Sequence, residues 1–136
     1  GDFTMSYAKA SQKYTEAAVL SASPAQLVVM LYDGAIRFMQ QGAVALGQDQ
    51  LSVAREKLFK AEAILNELNQ ALNMDSGDGE LARNLRSLYL YCKQQLLTAL
   101  LERDASMIEP IIGLMRELRG SWAQIASQQV PAAAAG

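Results

Sequence analysis

The chain of 136 residues contains no histidine and a single cysteine. Without histidine it lacks the usual general base and the commonest metal ligand. The one cysteine, Cys92, cannot form an internal disulfide and is typical of a reducing cytosol, and its place on a helical seam predicts a small buried hydrophobe. No glycine-rich phosphate loop is present either. We therefore expect a protein that is not an enzyme and that uses neither a metal nor a cofactor.

Clustered basic residues and long apolar runs are also missing. The net charge is −2, with acids and bases interspersed, which argues against binding nucleic acid. Asp33 and Arg37 interrupt the longest apolar run, so no segment reaches the ~18–20 residues that span a bilayer. No basic start precedes an apolar signal core. These absences predict a cytoplasmic protein without membrane insertion.

What the sequence does have is hydrophobic residues, 51% of the chain, spaced three and four apart. This spacing predicts helices over residues 24–46, 51–72 and 80–103 and a fourth helix after Asp104. The short connections favour antiparallel neighbours. The fold class expected for residues 23–127 is all-α, an antiparallel up-down-up-down four-helix bundle with a short N-terminal helix or arm packed on it.

The first predicted helix has the clearest start and the widest apolar surface. Ser23 can cap it, Pro24 suits its first position, and Gln26 can close a capping box. Its apolar residues then cover more of the circumference than one buried stripe requires. Two interpretations remain open: the helix is the centre of the bundle, or it carries a second hydrophobic contact.

The third and fourth helices each carry one irregular feature. Tyr89, Leu90, Leu97 and Leu101 lie outside the inner stripe of the third helix, which is therefore also apolar beyond its core needs. In the fourth, Pro110 would kink the second turn if the helix began at Ala105, and the start of that helix stays open.

Residues 22–38 read A-S-P-x-x-L-x-x-M-L-Y-D-G-A-I-R-F, and this string resembles the flagellin export chaperones, the FliS family. Further matches are Lys60-Ala61 with 64–68, G-E-L-A-x-N-L-x-x-L-Y over 79–89, and L-R-x-x-W over 118–122. The resemblance covers residues 7–126. It implies a chaperone for newly made flagellin that binds flagellin's C-terminal segment, prevents premature polymerisation and supports flagellar type III export.

The resemblance also suggests where the partner binds. We expect a groove on the first and third helices, with the N-terminal arm beside it. The candidates that match the motif are Leu27, Leu31, Tyr32, Asp33, Leu85 and Tyr89, and Tyr7 and Tyr14 join them as one apolar face of the arm. For Leu31 and Leu85 a core role is favoured, whereas for Tyr32, Tyr89 and Tyr91 core and interface roles are evenly balanced. Asp33 and Arg37, four residues apart, fit a surface helical ion pair better than a recognition site.

The two ends of the chain lie outside the predicted bundle. Residues 1–4 suggest a cloning remnant, with Met5 as the natural start, and residues 128–136 suggest a flexible tail. Residues 5–22 are too short to form a stable helix alone. We expect this arm to cover the groove as a lid that the client displaces; the rival interpretation is a clamp that holds the client.

Two further interpretations of function remain. The same groove could sequester a flagellar regulatory protein, or the apolar faces could bury each other in a structural helical homodimer. Bound flagellin in the purified protein would favour the chaperone, and concentration-dependent sedimentation would favour the dimer.

Overall fold

The structure is a computed structural model that describes residues 21–72 and 79–128. Those residues form four α-helices and one short 3-10 helix, without a strand. The elements are α1 (Pro24–Gly47), α2 (Leu51–Gln70), α3 (Gly79–Glu102), the 3-10 helix (Ala105–Met107) and α4 (Glu109–Ser127). The all-helical prediction is confirmed.

The start of α1 has the predicted capping box. The backbone N–H of Gln26 donates to Ser23 Oγ at 3.2 Å, and the N–H of Ser23 donates to Gln26 Oε1 at 2.8 Å. Pro24 occupies the first turn, where its missing N–H leaves no helical hydrogen bond unmade. The sequence alone was sufficient here because all three effects are local.

The structure settles the position of Pro110. Asp104 caps the 3-10 helix through a 3.0 Å hydrogen bond from the N–H of Ser106. The chain then begins α4 afresh at Glu109, which places Pro110 in its first turn. A proline there disrupts no helical hydrogen bond, so the fourth helix needs no kink.

The packing explains why α1 is so apolar. It contacts both α2 and α4, α3 packs mainly on α2, and α3 and α4 barely touch each other. Residues on several sides of α1 are consequently buried, among them Met30, Ile36 and Met39. Of the two interpretations of this helix, the structure supports the first: α1 is the centre of the bundle.

A close approach in the core joins α1 to α2 at a glycine. A Cβ atom on Gly42 would lie 2.6 Å from Cδ2 of Leu58 and 2.8 Å from its Cγ. Leu58 is buried, as its place on the α2 seam predicts. Cys92 is buried on the α3 seam as expected, and burial raises the pKa of its thiol to about 11.

Several expectations fall on residues that lie outside the described ones. They concern Tyr7, Tyr14, the lid formed by the arm and the tail beyond residue 128, and all of them stay predictions. Within residues 21–72 and 79–128, no helix combines the length and the apolar character needed to cross a membrane.

Candidate functional site

The most distinctive contact among the candidate residues joins two tyrosines on different helices. The hydroxyl oxygens of Tyr32 on α1 and Tyr89 on α3 lie 2.5 Å apart, and their ring centroids 6.4 Å apart. Burial is the largest influence on the pKa of the Tyr32 hydroxyl and raises it, whereas the Trp122 indole on α4, which carries only a donor, acts to lower it. Tyr32 thus interacts with residues of both α3 and α4, although these two helices barely touch each other directly.

Both tyrosines belong to the core. Tyr32 is 0% exposed and Tyr89 is 2% exposed. Burial is the main cause that raises the pKa of both hydroxyls, because the anionic phenolate would lose its hydration. The sequence favoured a core role and an interface role equally for these tyrosines. Burial gives Tyr32 and Tyr89 the core role, whereas Tyr91 is exposed.

Asp33 forms an ion pair, but not the predicted one. Its Oδ1 atom accepts a short hydrogen bond from Arg119 Nε on α4. Its Oδ2 atom lies 3.5 Å from Arg119 Nη2. The expectation that Asp33 pairs with Arg37 on its own helix is wrong, because α4 packs beside α1 and presents a planar guanidinium to the carboxylate. The pair therefore fixes α4 on α1.

The remaining candidates also pack inward. Leu31 and Leu85 are buried, and Leu27 is half-buried against the core. Thus the six motif residues that the structure describes lie at the junctions of α1 with α3 and α4 or in the core beside them. None of the six is an exposed apolar side chain, so a partner that met the bundle from outside would touch other residues first.

The exposed apolar side chains concentrate on α3. Leu90 is 53% exposed, Leu97 48% and Leu101 73%. Their spacing of seven and four residues places them on one side of the helix. We call these three residues the α3 apolar face. On these two helices, α3 supplies exposed apolar surface, whereas most apolar residues of α1 are used in packing. The groove expected there stays a prediction.

Half-buried hydrophobic residues occur beside the tyrosine pair. They pack on the core yet retain some exposure, and they are Leu88 on α3 with Leu114, Leu118 and Trp122 on α4. The three-four spacing of apolar residues along the fourth helix predicts an inward-facing position for Leu118 and Trp122. Their partial exposure follows from the weak packing between α3 and α4, which leaves this edge of the bundle less completely covered.

Comparisons with known proteins agree with this arrangement. The family model for the flagellar protein FliS matches residues 7–129. The flagellar secretion chaperone FliS of Salmonella typhimurium is 41% identical over 125 residues, which cover 90% of this chain and 92% of that protein. The Bacillus subtilis protein of the same name is 32% identical, with 82% and 81% covered.

A solved structure extends the likeness to the fold. The crystal structure of a flagellar chaperone from bacteria superposes with a TM-score of 0.72 at 23% identity, covering 89% of this chain and 98% of that one. The chain belongs to the FliS family. The relatives are chaperones rather than enzymes, so the prediction that this protein is not an enzyme is confirmed.

Two contacts at the candidate site were missed by reasoning from the residues. Arg119 was not paired with Asp33, and Trp122 was not placed beside Tyr32. A signal was present for both, since the string L-R-x-x-W over 118–122 matched the family. Its residues lie opposite the motif of α1 once the bundle forms.

Proposed function

We propose that this protein is a cytoplasmic export chaperone that binds the C-terminal segment of newly made flagellin. Bound in this way, flagellin is kept from polymerising early and is handed to the flagellar type III export apparatus. The observation that carries the proposal is an exposed apolar face on one helix of a chain whose relatives are named flagellar secretion chaperones. Exposed apolar side chains that share one face of a helix are typical of a surface that binds a partner.

The α3 apolar face suits a helical client. From Leu90 to Leu101 it extends over eleven residues, or about 16 Å at 1.5 Å per residue. That length matches roughly three turns of an amphipathic helix lying along α3, with its own apolar residues at three-four spacing. A client segment that is disordered when free can fold onto this face and cover its polymerising surface at the same time.

In this proposal the motif residues act beneath the client. Tyr89 directly precedes Leu90, and its hydrogen bond to Tyr32 fixes the position of α3 against α1. Asp33 and Arg119 fix α4 in the same way. We therefore assign these four residues to holding the helices that bear the client surface, and assign client contact to the leucines.

A first experiment tests the activity itself. Mixing the protein with monomeric flagellin should give a soluble one-to-one complex and delay filament growth, because the C-terminal segment is then occupied. Size-exclusion chromatography with light scattering measures the stoichiometry, and turbidity measures filament growth. Flagellin that polymerises at an unchanged rate in excess chaperone would contradict the proposed function.

A second experiment tests the surface. The double variant Leu97→Ser with Leu101→Ser should bind the flagellin C-terminal segment about 30–700-fold more weakly, since each leucine contributes roughly 1–2 kcal/mol when covered. The matched control is Val44→Ser with Val53→Ser, which changes two exposed apolar residues on α1 and α2. Calorimetric titration should show the control within about twofold of the parent. Equal losses in the two double variants would remove α3 as the binding surface.

A further inference from the structure

Three cationic side chains converge on one aromatic ring at the junction of α1 and α2. The guanidinium carbon of Arg37 lies 5.9 Å from the centroid of the Phe38 ring, Lys57 Nζ 5.8 Å and Lys60 Nζ 5.6 Å. We call Arg37, Lys57 and Lys60 the Phe38 cation cluster. In a chain with a net charge of −2, such a concentration of positive charge needs an explanation.

The negative charge beside the cluster is smaller than the positive charge. Lys60 pairs with Glu56 at 3.1 Å, and both side chains are about half exposed. Within the part of the chain that the structure describes, neither Arg37 nor Lys57 forms an ion pair. Around the Phe38 ring, positive charge is therefore in excess.

The guanidinium group of Arg37 is the second feature that indicates a binding site. Its Nη2 atom is buried, yet no hydrogen-bond partner is found for it. Buried nitrogen donors in proteins are almost always paired, and a guanidinium offers a planar fork that fits a carboxylate. The side chain as a whole keeps some exposure, so a rotamer change would bring this fork to an arriving carboxylate.

The cluster lies apart from the tyrosine pair and from the α3 apolar face. Arg37 follows Tyr32 by five residues, which places the two about 140° apart around α1. Lys57 and Lys60 lie on α2, whereas the α3 apolar face lies on α3. The cluster is therefore a separate surface, and it can be occupied while a client covers α3.

We propose that the Phe38 cation cluster binds an acidic, carboxylate-rich segment of a partner protein. Arg37 receives one carboxylate through its fork, and Lys57 and Lys60 hold a second by charge. Three cations are too few to follow a phosphate backbone, where affinity grows with each neutralised phosphate. They suffice for two or three carboxylates of a short peptide. This inference goes beyond flagellin binding and does not depend on it.

The test uses a fluorescein-labelled octapeptide of alternating glutamate and serine, with glutamine in place of glutamate as the uncharged control. Fluorescence anisotropy at low salt measures binding to the full-length protein. The double variant Arg37→Gln with Lys57→Gln should weaken binding at least about fivefold, as expected for two desolvated charge contacts. Arg83→Gln with Arg116→Gln removes the same total charge from exposed positions on α3 and α4 and should change binding less than about twofold.

Each other outcome overturns the proposal. If the acidic peptide does not bind, or if both double variants weaken it equally, the affinity does not come from the cluster. If a single-stranded oligonucleotide of eight residues binds through the same cations more tightly than the peptide, the partner is not an acidic protein segment. Binding of the flagellin C-terminal segment, measured on the same variants, reports separately on the proposed function and should be unchanged.

Discussion

Replacing Leu58 with alanine should lower the free energy of unfolding by about 2–5 kcal/mol, the range for leucine to alanine in a packed core. Leu58 is 2% exposed and lies on α2 beside Gly42 of α1. Its side chain fills the space beside Gly42, and a helix with a rigid neighbour cannot move inward to close the cavity. Urea denaturation followed by circular dichroism measures the change. A loss below about 1 kcal/mol would mean that this junction is not tightly packed.

Substitution of Gly42 tests separately whether Leu58 packs closely against α1 at this position. In the parent protein Gly42→Ala should destabilise by about 1–3 kcal/mol, because its Cβ would overlap the end of the Leu58 side chain. In the Leu58→Ala background that overlap disappears, and alanine is favoured over glycine in a helix by about 1 kcal/mol. The same substitution should therefore change sign, from destabilising to stabilising. Additive effects of the two substitutions would contradict the close contact.

The parts of the fold that could be predicted were those governed by local chemistry. The capping box at Ser23 involves residues three apart, and the seams of α2 and α3 follow from helical spacing alone. Pro110 was harder, because its effect depends on whether the turn before it is continuous with the helix after it. Asp104 caps a separate 3-10 helix, so the turn before Pro110 is not continuous with α4. The sequence pattern was compatible with a continuous helix and with this interrupted one.

The candidate site was less predictable because it depends on which helices are neighbours. The sequence placed Asp33 beside Arg37, since residues four apart are neighbours on the surface of a helix. It could not place Arg119 there, because that requires α4 to pack against α1. The wide apolar surface of α1 was likewise ambiguous until the structure placed two helices against it. In contrast, the leucines of α3 beyond its inner stripe were recognised from spacing alone and are exposed.

Tyr89→Ala should destabilise the protein by about 3–5 kcal/mol, as for other large aromatic residues removed from a core. From the sequence we expected Tyr89 to contact the client. Its near-complete burial and its hydrogen bond to Tyr32 predict a structural role instead. Tyr89→Phe keeps the ring and should cost about 1–3 kcal/mol, because a buried hydroxyl loses one partner. Denaturation measures both variants.

Measurement of client binding distinguishes a structural role of Tyr89 from direct contact with the client. At a temperature where Tyr89→Phe is folded, calorimetric titration with the flagellin C-terminal segment should give an affinity within about twofold of the parent. A loss of about tenfold or more with intact folding would return Tyr89 to the client surface. Tyr32→Phe is the matched control, since it removes the other hydroxyl of the same hydrogen bond.

The pH dependence of stability should identify the tyrosine pair directly. In the folded protein the pKa of both hydroxyls is raised, mainly by burial and for Tyr32 next by the charge of Tyr89. The unfolded chain loses these protons near pH ~10, so above that pH it binds fewer protons than the folded protein and stability falls. The stabilisation that the pair contributes is therefore complete below pH ~10 and is lost as the pH rises further.

The experiment compares the parent with the double variant Tyr32→Phe with Tyr89→Phe. The difference between their free energies of unfolding should become smaller between pH ~10 and ~11.5. The pKa of Cys92 is also raised by burial, and its charge further raises the pKa of both tyrosines, so it acts in the same direction on the parent protein. A difference that stays constant across this range would show that the two hydroxyls are open to water rather than buried together.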